Sequence, residues 1–295
     1  MKGILSNTID FLLAQPEAQG RRIHSLHLDN YYTVVQLDDD SLSACISDYR
    51  LDREDLKDVE RAIRGKVSGD PLLLKFAAAS AETDGIARSI RLTVASALSA
   101  PILLDGKDSF FDACNGFPSG FFVGAEYAVV VGFGDVVSHL VHKTSVPRIH
   151  ITDSLFRRNM DRMEAQLFRL RSVRKNLTIT VSDVSDCPKY LREADLAAIS
   201  SSTLVNHAVD NLLPLARNCK KIVVLGESAA IHPRFLFESG VHLIVTTLKR
   251  SELMSVVRSD RNDDSLWRFF VQQGLPNLCL WPKGMASMDS ISSNN

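Results

Sequence analysis

Two hydrophobic rhythms divide this chain. The opening stretch MKGILSNTIDFLLAQPEAQG sets Ile4, Ile9, Leu12 and Leu13 on one helical stripe. Three alternating runs follow, Arg22–Leu28, Tyr31–Leu37 and Ser41–Ile46, joined by Asp29-Asn30 and by Asp38-Asp39-Asp40. Turns that short and polar predict an antiparallel meander. Helical text comes next. Arg53–Arg64 is rich in charge, and Pro71–Ala79 begins with proline in the first turn, where its missing N–H costs nothing. Ile86–Leu98 is a third helix, with small residues suited to close packing. Strands first and helices after predict a small α+β domain.

After Ala125 the rhythm changes to short apolar blocks separated by helical stretches. Tyr127–Gly132, Arg148–Thr152, Thr178–Val181, Asp195–Ser200, Lys221–Gly226 and Val241–Thr246 read as strands. A helix running to about Lys143, Arg157–Lys175, Leu204–Ala216 and His232–Ser239 read as helices between them. Strands without alternation are buried on both faces, which requires a parallel sheet with helices on each side. The fold class is therefore α/β: a Rossmann-like, mostly parallel sheet preceded by a smaller α+β domain. The glycine- and phenylalanine-rich stretch Asp105–Gly124 is the expected junction, placing the domains at 1–120 and 121–282. The Ser- and Asn-rich residues 283–295 are expected to be a disordered tail.

Composition narrows the function. Of 295 residues, 45% are hydrophobic and 23% charged, enough for a sizeable core. A net charge of −1 gives no field toward nucleic acid, and the basic helix Arg157–Lys175 has no aromatic platform beside it. The apolar blocks 127–131 and 222–225 are too short for a bilayer. The N-terminus carries Asp10 within its apolar stretch and lacks a cleavage site, so it reads as a helix and not a signal peptide. The five cysteines are odd in number and well separated, which predicts neither a CxxC zinc site nor a secreted disulfide framework. A cytoplasmic protein is expected, without nucleic-acid or membrane partners; whether it forms a homo-oligomer stays open.

Chemistry concentrates where the strands end. In an open parallel sheet ligands bind beyond the carboxyl ends, where helix N-termini offer unpaired N–H groups. Gly132-Phe133-Gly134 supplies two glycines of a dinucleotide fingerprint, although Val137 occupies the third position. Asp153, one strand further on, stands where a carboxylate would accept ribose hydroxyls. Ser200, Ser201, Ser202 and Thr203 precede Asn206 and His207; one or two hydroxyls cap a helix, and four exceed that need. Gly226-Glu227-Ser228 forms a third such end, which an ordinary strand-to-helix turn also explains. His24 and His27 fall on opposite faces of a strand, His139 and His142 lack a nearby carboxylate, and only His207 and His232 lie near the loops. No GxSxG elbow, P-loop lysine or HExxH helix is present, so no catalytic residue is assigned and enzymatic activity stays undecided.

The run ADLAAISSSTLVNHAVDNLLPLA, followed after a spacer by KIVVLGESAAIHPRFLFESGVHLIV, resembles the family described as putative heavy-metal chelation proteins. The matching stretches are Asp195–Asn206, Val224–Ser228 and Leu236–Val241, and YAVVVGFGDVV is similar to the family's Val-Gly-Phe segment. Ser201 stands where the family has glycine, and Glu227 replaces a proline. The resemblance implies an enolase N-terminal-like first domain, a Rossmann-like second, and a site in the cleft between them. Two readings follow. In the first, a metal ion or a small metal-chelating metabolite sits in that cleft. Gly132, Gly134, Ser201, Ser202, Thr203, Asn206, Gly226 and Ser228 then form its polar wall, with Glu227, His207 and His232 as metal ligands. In the second, an enzyme holds S-adenosylmethionine or a dinucleotide over Gly132 and Gly134, with Asp153 on the ribose.

Overall fold

The computed structural model describes residues 2–18, 20–48, 85–106, 108–116, 119–154, 160–247 and 278–285. The expected helices Arg53–Arg64 and Pro71–Ala79, and the tail from residue 286 onward, lie outside them. Helix α1 (Ile4–Leu13) leads into the meander β1 (Ile23–Leu28), β2 (Tyr32–Leu37) and β3 (Leu42–Ile46). Its strands pair antiparallel in the order β1-β2-β3, as their alternation predicts. Helix α2 (Gly85–Asp105) extends past the expected end at Leu98 and carries Pro101 within it. Among the described residues it alone is long and apolar enough to cross a membrane, yet 78% of its apolar window is buried inside the fold. Its small residues explain this place: Ala95, Ala97 and Ala100 are buried, and Ser99 satisfies its hydroxyl on the Ala95 carbonyl at 2.7 Å.

The large sheet has eight strands in the order β4-β11-β10-β9-β8-β5-β6-β7. Its parallel strands are β5 (Tyr127–Val131), β6 (Arg148–Asp153), β7 (Thr178–Asp183), β8 (Leu196–Ser200), β9 (Lys221–Leu225) and β10 (Leu243–Thr246). From β5 the chain first builds outward through β6 and β7, then returns to β5's other side for β8, β9 and β10. That reversal is the Rossmann arrangement, and in such sheets the ligand crevice lies at the carboxyl ends of the strands where the order reverses, here β5 and β8. Two strands at one end of the sheet, the outermost and its neighbour, escape a reading by periodicity. They are β4 (Phe111–Asn115) and β11 (Leu278–Pro282), which pair antiparallel with each other; β11 also runs antiparallel to β10. β4 comes from the glycine-rich stretch expected to be a junction.

Alternation within the buried strands sorts their side chains onto two faces. Val129, Val131, Ala197, Ile199, Val224 and Ile244 join a core with α1, α2 and the small sheet. Helices α5 (Cys187–Leu191), α6 (Ala208–Ala216) and α7 (Arg234–Glu238) complete that side. Ala128, Val130, Ile149, Ile151, Ala198, Val223 and Val245 face the other way. They meet Val137, Leu140 and Val141 of α3 (Asp135–Lys143) and Leu167 of α4 (Met160–Arg171).

Buried hydroxyls tie the small sheet to the rim of the large one. The Ile46 N–H at the end of β3 donates to Ser228 Oγ at 2.9 Å. Ser43 Oγ donates to Ser96 Oγ at 2.6 Å, and Ser96 passes the chain on to the Ala230 carbonyl at 2.8 Å. Ser228 is only 2% exposed, so Ser228→Ala leaves the Ile46 amide without its partner at a contact that admits little water. The expected loss is about 1–3 kcal/mol, read from urea unfolding as a lower midpoint at unchanged slope.

Candidate functional site

The three strand-end turns lie side by side because their strands are neighbours. β8 pairs with β5 on one side, Val131 opposite Ile199, and with β9 on the other, Ser200 opposite Leu225. Glycine is what lets the turns close up. Gly132 has φ +97°, and a Cβ there would sit 2.9 Å from Ser200 Cβ. Gly226 has φ +124°, and a side chain would collide with Ser201 Oγ. The Gly132 amide donates to the Thr152 carbonyl at 2.8 Å, and the Gly226 amide to the Val245 carbonyl at 2.9 Å. Both turns are thus pinned to the next strand.

At the crevice itself, Gly134 caps the N-terminus of α3 without any side-chain cap bond, and a Cβ on it would meet nothing within 4 Å. Asp153 Oδ2 accepts the Phe133 N–H at 2.6 Å, which sets a carboxylate against the glycine turn. Ser200 and Ser202 share a 2.9 Å hydroxyl contact, and both are half-buried. These residues leave polar groups at the opening: a helix N-terminus, one carboxylate and two hydroxyls.

Other expected site residues have structural work. Ser201 and Thr203 are buried, and Thr203 Oγ1 donates to the Ser200 carbonyl at 2.7 Å within a 3-10 turn, Ser201–Leu204. Helix α6 begins only at Ala208 and not at Leu204. His207 takes a left-handed φ of 59° at its N-cap, and Asn206 Oδ1 caps the helix by accepting the Ala208 N–H at 3.1 Å. His207 Nδ1 lies 3.7 Å from Asp210 Oδ2, while Asp210 Oδ1 accepts the Ile4 N–H at 2.8 Å and so anchors α1. Burial pushes the Asp210 carboxyl up, but the bonds from His207 and Ile4 outweigh it and hold the net value below the usual range.

His232 is fully buried. Its ring lies among Phe11, Phe110 and Phe111, with centroids 4.6, 5.9 and 6.1 Å away. Nε2 meets Asp108 Oδ2 at 3.2 Å, Nδ1 accepts the Arg234 N–H at 3.4 Å, and the His232 N–H donates to Ser99 Oγ at 2.8 Å. That pattern describes a neutral strut joining α2, β4 and α7. Glu227 is half-buried at the rim, and its carbonyl accepts the Ala230 N–H and the Thr246 hydroxyl, each at 3.4 Å. The structure therefore does not bring Glu227, His207 and His232 together as metal ligands. Among the described residues no group of three or more His, Cys, Asp or Glu side chains assembles to hold an ion.

Residues 127–259 match the model of DUF364, described as "Putative heavy-metal chelation". Over that stretch the chain is similar to the DUF364 family. Two solved structures extend the likeness over most of the chain, and both are of DUF364 proteins of unknown function. The protein from Pyrococcus horikoshii shares 15% identity, with a TM-score of 0.62 over 94% of this chain and 98% of its own. That from Desulfitobacterium hafniense shares 14%, with a TM-score of 0.59 over 94% and 97%. At such identity the likeness speaks for the fold alone. No curated protein matches.

The donors at the β5–β8 opening do not suit a bare heavy-metal ion. Soft and borderline ions favour thiolate and imidazole, whereas the opening presents hydroxyls, carboxylate and backbone N–H groups. Sequence reasoning missed that His232 is spent on Asp108, because 124 residues separate the two.

Burial lowers the His232 pKa; the Asp108 hydrogen bond opposes this less strongly, and the Arg234 charge adds to it. His150 and His242 are lowered in the same sense, chiefly by burial. A histidine whose folded pKa lies below 6.5 takes up its proton first in the unfolded chain, so its stabilising effect is present above that pH and lost below it. Stability to urea should therefore hold near neutrality and fall as the pH drops below about 6.5. His232→Gln, which keeps a donor for Asp108 but takes up no proton, should make that fall shallower.

Proposed function

We propose that this protein binds a small polar ligand, a metal-chelating metabolite with its ion, in the crevice between the ends of β5 and β8. The single observation that carries this reading is the strand-order reversal there, with Gly134 open at the start of α3. An anionic chelator would meet the α3 N-terminus and the hydroxyls of Ser200 and Ser202. The metabolite brings the metal's ligands, so the protein need not supply a donor cluster. The small sheet, docked through Ser228, forms the neighbouring wall, and we read it as the enolase N-terminal-like half of an interdomain site. All five cysteines are thiols, consistent with a reducing cytoplasm as the working compartment.

A nucleoside cofactor is the second reading, favoured by the carboxylate of Asp153 against Phe133 N–H at the end of the strand next to the glycine turn. One titration series separates the two. Ni, Co, Cu, Zn and Fe(II) salts, the same ions as citrate complexes, S-adenosylmethionine and NAD are each compared by calorimetry and thermal melting. The citrate complexes should bind stoichiometrically and raise the melting point by mass action, and Gly134→Leu should abolish the rise without lowering the melting point of the unliganded protein. Binding of a nucleoside alone, lost in Asp153→Ala, would replace the first reading with the second. Binding of the aquo ions alone would contradict both.

A further inference from the structure

Cys114 and Cys279 sit directly opposite each other where β4 pairs with β11. Partners opposed in an antiparallel ladder share one face, with Cα atoms roughly 4.5–5.5 Å apart. That spacing falls inside the range of roughly 4.4–6.8 Å that a disulfide spans. The two thiols are within hydrogen-bonding reach of each other. Cys279 also donates to the Gly116 carbonyl at 2.7 Å. Their environments differ: Cys279 is fully buried, and Cys114 is half-buried against the same core cluster. The remaining three cysteines are buried: Cys45 in the meander, Cys187 at the start of α5, and Cys219 on the Leu191 carbonyl at 3.3 Å.

We propose that Cys114 and Cys279 are a redox pair that a hydroperoxide converts into a cross-strand disulfide. Cys114, the more accessible, is the attacking thiol. Its thiolate takes the distal peroxide oxygen; the S–O bond forms, the O–O bond breaks, and the leaving oxygen departs protonated. Cys279 then attacks the sulfenic sulfur. The S–S bond forms, the S–O bond breaks, and hydroxide leaves with the Cys279 proton as water. Two thiols thus give up two electrons, and the hydroperoxide is reduced. Burial pushes the Cys279 thiol up to about 12, with the neighbouring Cys114 adding to the shift, which keeps it protonated and leaves the first attack on peroxide to the more accessible Cys114.

The bond would staple the antiparallel edge of the large sheet. That edge reaches the His232 strut: Lys283 N–H donates to the Phe110 carbonyl at 3.1 Å, Lys283 Nζ to the Asp108 carbonyl at 2.8 Å, and Asp108 holds His232. Oxidation accordingly ties β4 to β11 without touching the β5–β8 crevice.

Folded full-length protein is treated with a small excess of hydrogen peroxide, blocked with N-ethylmaleimide under denaturing conditions, and mapped by peptide mass spectrometry. The expected product is one cross-linked peptide joining Cys114 to Cys279, lighter by two hydrogens, with Cys45, Cys187 and Cys219 alkylated. The oxidised protein should melt several degrees higher, and dithiothreitol should reverse the rise. Cys114→Ser, at the half-buried position, should remove both the cross-link and the rise, and Cys279→Ala should do the same. Recovery of all five cysteines alkylated, over-oxidation of Cys114 without a cross-link, or a bridge to any other cysteine would overturn the proposal.

Discussion

Close approach of backbone to side chain at two glycines is the constraint on which the rest of this structure depends. With Gly132 against Ser200 and Gly226 against Ser201, the turns after β5, β8 and β9 are knit into a continuous rim. Both glycines have φ in the region that other residues enter only at a cost of order 1–3 kcal/mol. Without them the turns would have to spread, and the crevice at the strand-order reversal would lose its sides. Position and conformation are thus imposed by the same two residues.

A second layer of order comes from the meander. It presses on this rim through single hydrogen bonds, Ile46 to Ser228 and Ser43 through Ser96 to Ala230, and not through a purely apolar contact. Buried polar bonds carry a large penalty when misaligned, so they fix the angle at which the small sheet meets the large one. The rim is divided: Ser228 is sealed beneath the contact and Ser201 and Thr203 are also buried, while Gly134 stays exposed and Asp153, Ser200 and Ser202 stay half-buried. A ligand would therefore meet the β5–β6–β8 side of the rim first.

Much of this was legible in the sequence, for identifiable reasons. Apolar blocks such as YAVVV and KIVVL are buried on both faces and announce a parallel sheet without tertiary information. The meander's alternation is equally local. β4 and β11 were not legible because FDACN and LCLWP carry no clean period, and they pair across more than 150 residues of chain. The start of α6 slipped for a different reason. Leu204 and Val205 continue the apolar pattern, but His207 turns left-handed to meet Asp210, a choice made by the anchoring of α1. Glycines and hydroxyls do fall at the strand ends, as their positions suggest; that Ser228 is turned to the meander depends on its partner Ile46, far away in the chain. His232 illustrates the limit best, since its residue type suggests a metal ligand and its distant partner Asp108 makes it a strut.

The most direct measurement is a crystal structure of the full-length protein soaked with nickel citrate, with anomalous diffraction collected at the nickel edge. One strong peak is expected in the crevice, bordered by Gly134, Asp153, Ser200 and Ser202, with citrate between the ion and the protein. A peak held directly by His207 or His232, or by side chains away from this rim, would contradict it.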